Sequence, residues 1–199
     1  MVTHRINLAT EDVLSETVGI KLISELGASF EVGSKFGRKG NGYLRSNLTK
    51  FLEIARYEYL FLLTDLDWVT CAPSLISSWA QDQIVPEKLL LRVAVREVES
   101  WLLADREAIA SFLSCSEAKL KDPPDSLSDP KQALLQLAKK SPRAIRSELV
   151  AEHGAIASQG LGYNQLLGEF VRNSWSPERA AERSNSLFRA RRRLHELID

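Results

Sequence analysis

Cysteine occurs only at Cys71 and Cys115, and histidine only at His4, His153 and His195. Residues so scattered offer neither zinc-ligand spacing nor a disulfide framework. No charge sign dominates: Lys and Arg number 26, as do Asp and Glu, so no global field draws in nucleic acid or anionic lipid, and any polyanion site must be local. No stretch approaches the ~20 apolar residues of a membrane span, and the start, Met1-Val2-Thr3-His4-Arg5-Ile6, lacks the apolar core of a signal peptide. The expectation is a cytoplasmic protein with no membrane partner. A Gly-x-Ser-x-Gly elbow and a Ser-His-Asp order are both missing, which disfavours acyl transfer. The Gly-x-x-x-x-Gly-Lys-Ser/Thr phosphate loop is missing too. What remains is ordinary globular composition, 44% hydrophobic and 26% charged over 199 residues. That is enough for one well-buried domain with an appendage.

The central stretch is Tyr59-Leu-Phe-Leu-Leu-Thr-Asp65-Leu-Asp67, an apolar run ending in two carboxylates. Its length and composition predict a buried strand leaving the core at Asp65. Shorter apolar segments predict further strands at 4–10, 29–33 and 89–95, beside one at 58–65. Between them, apolar spacings of 3 and 4 predict helices: Val13, Leu14, Val18, Leu22 and Ile23 in the first, Leu44, Leu48, Phe51 and Leu52 in the second, Leu75, Ile76 and Trp79 in the third. Strands alternating with helices predict an α/β fold, βαβαβαβ, with a parallel sheet and right-handed crossovers. After about 97 only helix and loop are expected, including a helix or helix pair through Leu113, helical patterns over 131–149, and helices near Leu166–Val171, after Ser176-Pro177 and from Leu187 to Leu197. The organisation read is a core over 1–113 and a C-terminal helical cap over 114–199 packed on it.

Acids follow three of the predicted strands: Glu11 and Asp12 the first, Asp65 and Asp67 the third, Glu97 and Glu99 the fourth. In an open parallel sheet, ligands gather beyond the carboxyl ends of the strands. If 65–67 stays extended, the Asp65 and Asp67 side chains project to one side. Carboxylates gathered there repel unless a proton or cation lies between them. Oxygen-only donors suit Mg²⁺ or Mn²⁺. The plainer alternatives are a solvated acidic turn, with Asp65 or Asp67 capping the next helix, and Glu97 and Glu99 in a solvated helical first turn favoured by the dipole.

Glu after the first strand and Asp-x-Asp after the third, in a βαβαβαβ order, resemble the TOPRIM domain shared by topoisomerases, primases and the overcoming-lysogenization-defect nucleases. Residues 9–16, 63–67, 92–107 and Asp-Pro-Lys-Gln at 129–132 also resemble an uncharacterised bacterial family described as TOPRIM-like. Two positions depart from the TOPRIM pattern: Asp12 and Thr70 stand where it has glycines. The resemblance implies metal ligation by Glu11, Asp65 and Asp67, with Glu11 also a general base. It implies a second set of acids, for which Glu97 and Glu99 are candidates, and a basic residue near the scissile phosphate, for which Lys131 is the candidate.

The glycine-rich segment 33–45 carries Lys35, Arg38, Lys39 and Arg45 and is expected as a loop whose cations meet nucleic-acid phosphates. Its alternative is a mobile surface loop. Arg189, Arg191, Arg192 and Arg193 read as a solvated helix face. Tyr163 and Asn164, after Gly160-Leu-Gly162, could reach the site from the cap, though no spacing requires it. Three functions stand open: a Mg²⁺-dependent nuclease of a bacterial defence or toxin module, a non-catalytic binding or regulatory subunit with an ATPase partner protein, and, as a minor option, a nucleotide-sugar transferase.

Overall fold

The structure is a computed structural model that describes residues 4–197; Met1 to Thr3, part of the N-terminal stretch considered above, lie outside the described residues. Its sheet has four strands, β1 (His4–Thr10), β2 (Phe30–Gly37), β3 (Tyr59–Asp65) and β4 (Leu89–Ala94), in the order β2-β1-β3-β4. All neighbouring pairs are parallel. The crossovers are α1 (Val13–Ser24), then α2 (Asn41–Ser46) with α3 (Leu48–Ala55), then α4 (Ala72–Ala80). After β4 come α5 (Val98–Ala104), α6 (Arg106–Leu113), α7 (Pro130–Ala138), α8 (Arg143–Leu149), α9 (Tyr163–Asn173), α10 (Pro177–Ala181) and α11 (Asn185–His195). Among the described residues, the second half adds no strand, only an isolated antiparallel bridge between Val150 and Gln159. No helix there is long and apolar enough to cross a membrane.

Both faces of the sheet are covered, which is why β3 reads as an unbroken apolar run. Ile6, Leu8, Phe61, Leu63 and Leu90 point into one core with α1, α5, α9 and α11. Their neighbours Ala9, Leu60, Leu62, Leu89 and Leu91 point into the other, against Leu48, Phe51 and Leu52 of α3 and Leu75 and Trp79 of α4. The late helices share the first core, since Trp101, Tyr163, Trp175 and Leu194 join it together with β1 and α1. Two tryptophans tie this layer together: Trp175 Nε1 donates to the Trp101 carbonyl at 3.0 Å, and Trp101 Nε1 to Ser186 Oγ at 2.7 Å. Truncating either buried ring would cost about 3–5 kcal/mol. Asp105, 1% exposed, caps α6 and accepts two bonds from Arg179 at 2.9 Å, joining α10 to the α5–α6 corner.

Two local features differ from the sequence expectations. β2 runs on to Gly37 and α2 starts at Asn41, so Lys35 and Phe36 lie on an edge strand and Arg45 in a helix rather than in a loop. The second helix is broken in two at Asn47, where φ and ψ are −102° and 9°.

Candidate functional site

The carboxyl ends of β1, β3 and β4 meet at one edge of the sheet. Beyond β1, Glu11 turns its side chain across to β3, accepting hydrogen bonds from the Thr64 hydroxyl and from the Asp65 N–H at 2.8 Å. Asp12 caps α1 by accepting from Ser15 N at 2.7 Å. The end of β2 folds over this corner: Arg38 N donates to the Thr10 carbonyl and Gly40 N to the Glu11 carbonyl. Gly37 makes the approach possible. Its φ is +111°, and a Cβ there would lie 1.9 Å from the Thr10 carbonyl oxygen.

Asp65 ends β3 and reaches in turn to β4's exit, where its Oδ1 accepts from Val98 N at 3.0 Å. It thereby satisfies the N-terminus of α5, whose own cap residue, Glu97, makes no side-chain cap bond. Asp65 thus serves a helix over thirty residues away; the next helix, α4, has Cys71 at its N-cap and no side-chain cap bond, so the expectation that Asp65 or Asp67 caps the next helix is not met. The premise of an extended 65–67 fails: Asp67 has φ +50°, a left-handed conformation that Asp tolerates, and strand alternation stops at Asp65. Arg96 holds this turn, donating to the Asp67 and Val69 carbonyls at 2.9 and 2.8 Å, while Leu66 N and Asp67 N donate to its own carbonyl.

Glu97 Oε2 accepts from Lys131 N at 2.9 Å, in the first turn of α7, where Asp129 caps Gln132 N. Glu99 turns inward, 5% exposed, and accepts from the Tyr163 hydroxyl at 2.7 Å at the start of α9. The Lys131 ammonium stands 5.1 Å from the centre of the Tyr163 ring, a cation–π contact. Thus Glu11, Asp65, Asp67, Glu97, Glu99, Lys131 and Tyr163 converge from separate elements. Helix N-termini favour negative charge, which helps explain how so many acids are tolerated.

Burial is the largest cause raising the pKa of Glu11, Asp65, Glu97 and Glu99. Glu99 is pushed up to about 7, with Glu97 adding repulsion and the Tyr163 bond opposing it. Asp65 rises well above the usual carboxylate range, with Glu99, Glu11, Asp12 and Asp67 repelling its charge. Asp67 also repels Glu11 and Glu97, so the acids form one electrostatic group. The donor chemistry, carboxylate oxygens raised by burial and mutual repulsion, fits a hard divalent cation. The present arrangement is less ready: among the described residues, no three His, Cys, Asp or Glu side chains are grouped so as to hold a metal ion. Glu11, Asp65, Glu97 and Glu99 instead spend oxygens on the bonds above.

The basic segment lies beside Glu11, but its charges are partly committed. Glu16 of α1, itself buried, accepts from Arg38 Nε at 2.7 Å and Nη2 at 2.5 Å, and Lys35 Nζ lies 3.2 Å from it. The Arg38 bond is the first cause holding the Glu16 carboxyl below its usual range. Lys39 packs 5.3 Å from the Tyr43 ring centre, and Arg45 is exposed. On α11, Arg191 is half-buried in a two-bond pair with Glu25, whereas Arg192 and Arg193 pair with Glu196. Sequence reasoning missed Thr64, Arg96 and Glu16. A hydroxyl inside the apolar run of β3 was a visible signal for Thr64; Arg96 and Glu16 carried none.

Fold and site define an α/β protein with a βαβαβαβ parallel sheet, an acid-lined carboxyl edge and C-terminal helices packed on one face. No family model matches the chain, and no curated protein does. Among solved structures, the C-terminal region of the Burkholderia pseudomallei OLD protein is similar at a TM-score of 0.47 and 16% identity, covering 98% of each chain.

Proposed function

We propose that the chain is a metal-dependent phosphodiesterase acting on nucleic acid, in keeping with its resemblance to TOPRIM nucleases. One observation carries the reading: two hydrogen bonds, Glu11 to Asp65 N and Asp65 to Val98 N, link the exits of β1, β3 and β4 through carboxylates. Glu11, Asp65 and Asp67 would hold Mg²⁺ or Mn²⁺, with Glu97 and Glu99 around a second ion. Bound there, a divalent ion supplies an activated water and charge neutralisation at the phosphate. Glu11, with its raised pKa, takes the proton of the attacking water. Lys131 sets a positive charge beside the phosphate. Tyr163 remains protonated, because burial and Glu99 push its phenol up, and it orients Glu99. Glu11 and Asp65 would ligate through Oε2 and Oδ2, since their bonds to Asp65 N and Val98 N use Oε1 and Oδ1.

The bonds that Asp65 and Glu97 accept from Val98 N and Lys131 N at the starts of α5 and α7 favour a second reading, a TOPRIM-like binding or regulatory subunit of an ATPase-containing bacterial defence complex, in which the acids serve as caps. The test is cleavage of single- and double-stranded DNA and RNA by the wild type with Mg²⁺, Mn²⁺ or chelator. Cation-dependent cleavage lost in Asp65→Asn supports the phosphodiesterase; no cleavage under any condition leaves the binding subunit.

A further inference from the structure

The turn after Asp65 carries an exposed indole on a fixed backbone. Trp68 is 83% exposed, whereas Trp79, Trp101 and Trp175 are buried. Its surroundings are not slack: Arg96 bonds the carbonyls of Asp67 and Val69 on either side, Val69 N bonds the Leu66 carbonyl, and Leu66 is buried. A large aromatic held in water by an anchored turn, one residue from Asp67, is placed as a platform for a flat partner.

The same turn borders a cavity of about 450 Å³, within the range that takes a nucleotide-sized ligand. Leu66 and Thr70 form its near side, Ile76 and Val93 contribute apolar wall, and Arg92 and Arg189 contribute positive charge. The Arg92 Nε is buried without a hydrogen-bond partner, so this guanidinium joins the cavity wall with its donors incompletely satisfied. Asp125 also lines the cavity, but its two oxygens are taken by Ser184 Oγ and Ser186 N at the start of α11.

We infer that the Trp68 turn and the Arg92–Arg189 cavity form a track for single-stranded nucleic acid, with an unpaired base stacked on Trp68 and a flanking phosphate at the arginines. A duplex keeps its internal base faces stacked and offers Trp68 only its two terminal pairs, so the arrangement favours single strands. The inference rests on the phosphodiesterase reading only for which bond is cut; binding needs no cleavage.

The experiment is a titration of the full chain, in chelator, with oligothymidylate, oligouridylate and a blunt DNA duplex, read by tryptophan emission and by anisotropy of labelled strands. Expected are quenching by one or both single strands and weaker binding of the duplex. Trp68→Ala should abolish the quenching and weaken single-strand affinity roughly tenfold, as loss of one stacked base does, and Trp68→Phe should restore much of that affinity. Arg189→Ala should lower the slope of log affinity against log salt by about 0.7. Binding without quenching, undiminished affinity in Trp68→Ala, duplex bound as tightly as single strands, no binding at all, or an unchanged salt slope in Arg189→Ala would each overturn the track. The stronger response of the thymidylate or uridylate arm says whether DNA or RNA is its strand. Wild type that binds in this way yet cleaves nothing removes the phosphodiesterase reading and leaves the track standing.

Discussion

The Tyr163 hydroxyl donates to Glu99 Oε1 at 2.7 Å, joining the first turn of α9 to the exit of β4 across 64 residues, with both side chains buried. Glu99 is raised from 4.5 to about 7, chiefly by burial. A carboxyl raised on folding stabilises the protein fully below its unfolded pKa, and that contribution is lost as pH rises through the folded value. In chelator, the melting temperature of the wild type should therefore fall as pH climbs from about 4.5 through about 7. Glu99→Gln should remove part of that fall. Tyr163→Phe deletes the bond that favours the carboxylate and should move the fall to higher pH. A wild-type profile no steeper than that of Glu99→Gln would contradict the assignment.

Arg96 fixes the turn that presents Asp67. Arg96→Ala leaves the Asp67 and Val69 carbonyls to water and should destabilise the chain by about 1–2 kcal/mol in denaturant unfolding. It should also weaken divalent-ion binding, because Asp67 no longer holds its left-handed conformation against a fixed partner. Unchanged ion affinity would separate the turn from the site.

The basic segment divides by partner. Arg38→Ala strands the buried Glu16 carboxylate with Lys35 alone and should lower stability by roughly 1 kcal/mol, a figure kept small because Arg38 is half exposed. Lys39→Ala should leave stability nearly unchanged. If both cations also meet nucleic acid, the double variant flattens the salt dependence of binding; an unchanged slope assigns Arg38 to Glu16 alone.

Much of the architecture was legible because β1, β3 and β4 are buried on one or both faces and announce themselves as apolar runs. β2 was legible only in its first half. It is an edge strand, its residues from Gly33 to Gly37 are small, charged or partly exposed, and glycine there signals a loop when pairing partners are unknown. The gathering of the acids followed from the rule that strand ends converge at one edge. Their present bonds did not, because Asp65 to Val98 N and Glu97 to Lys131 N join residues more than thirty positions apart. The left-handed Asp67 was equally hidden, since Asp-Leu-Asp fits an extended strand and a turn alike. Tyr163 had no spacing to recommend it and reaches Glu99 only through the docking of α9 on α1.

Gly37 tests whether the β2 exit supports the site. Gly37→Ala places a Cβ against the Thr10 carbonyl at a φ of +111°, so stability should drop by more than ~1 kcal/mol. The bonds from Arg38 N and Gly40 N to the Thr10 and Glu11 carbonyls should loosen with it, seen as faster amide exchange at both residues.

The most direct measurement is a calorimetric titration of the wild type and Asp67→Asn with Mn²⁺. Asn accepts the left-handed backbone of Asp67 and removes one charge from the group that repels Glu11, Asp65 and Glu97. Expected are saturable heat of binding in the wild type, its loss in Asp67→Asn, and a variant that still unfolds cooperatively in chelator. Absence of any binding heat in the wild type would contradict the metal site and the phosphodiesterase reading built on it.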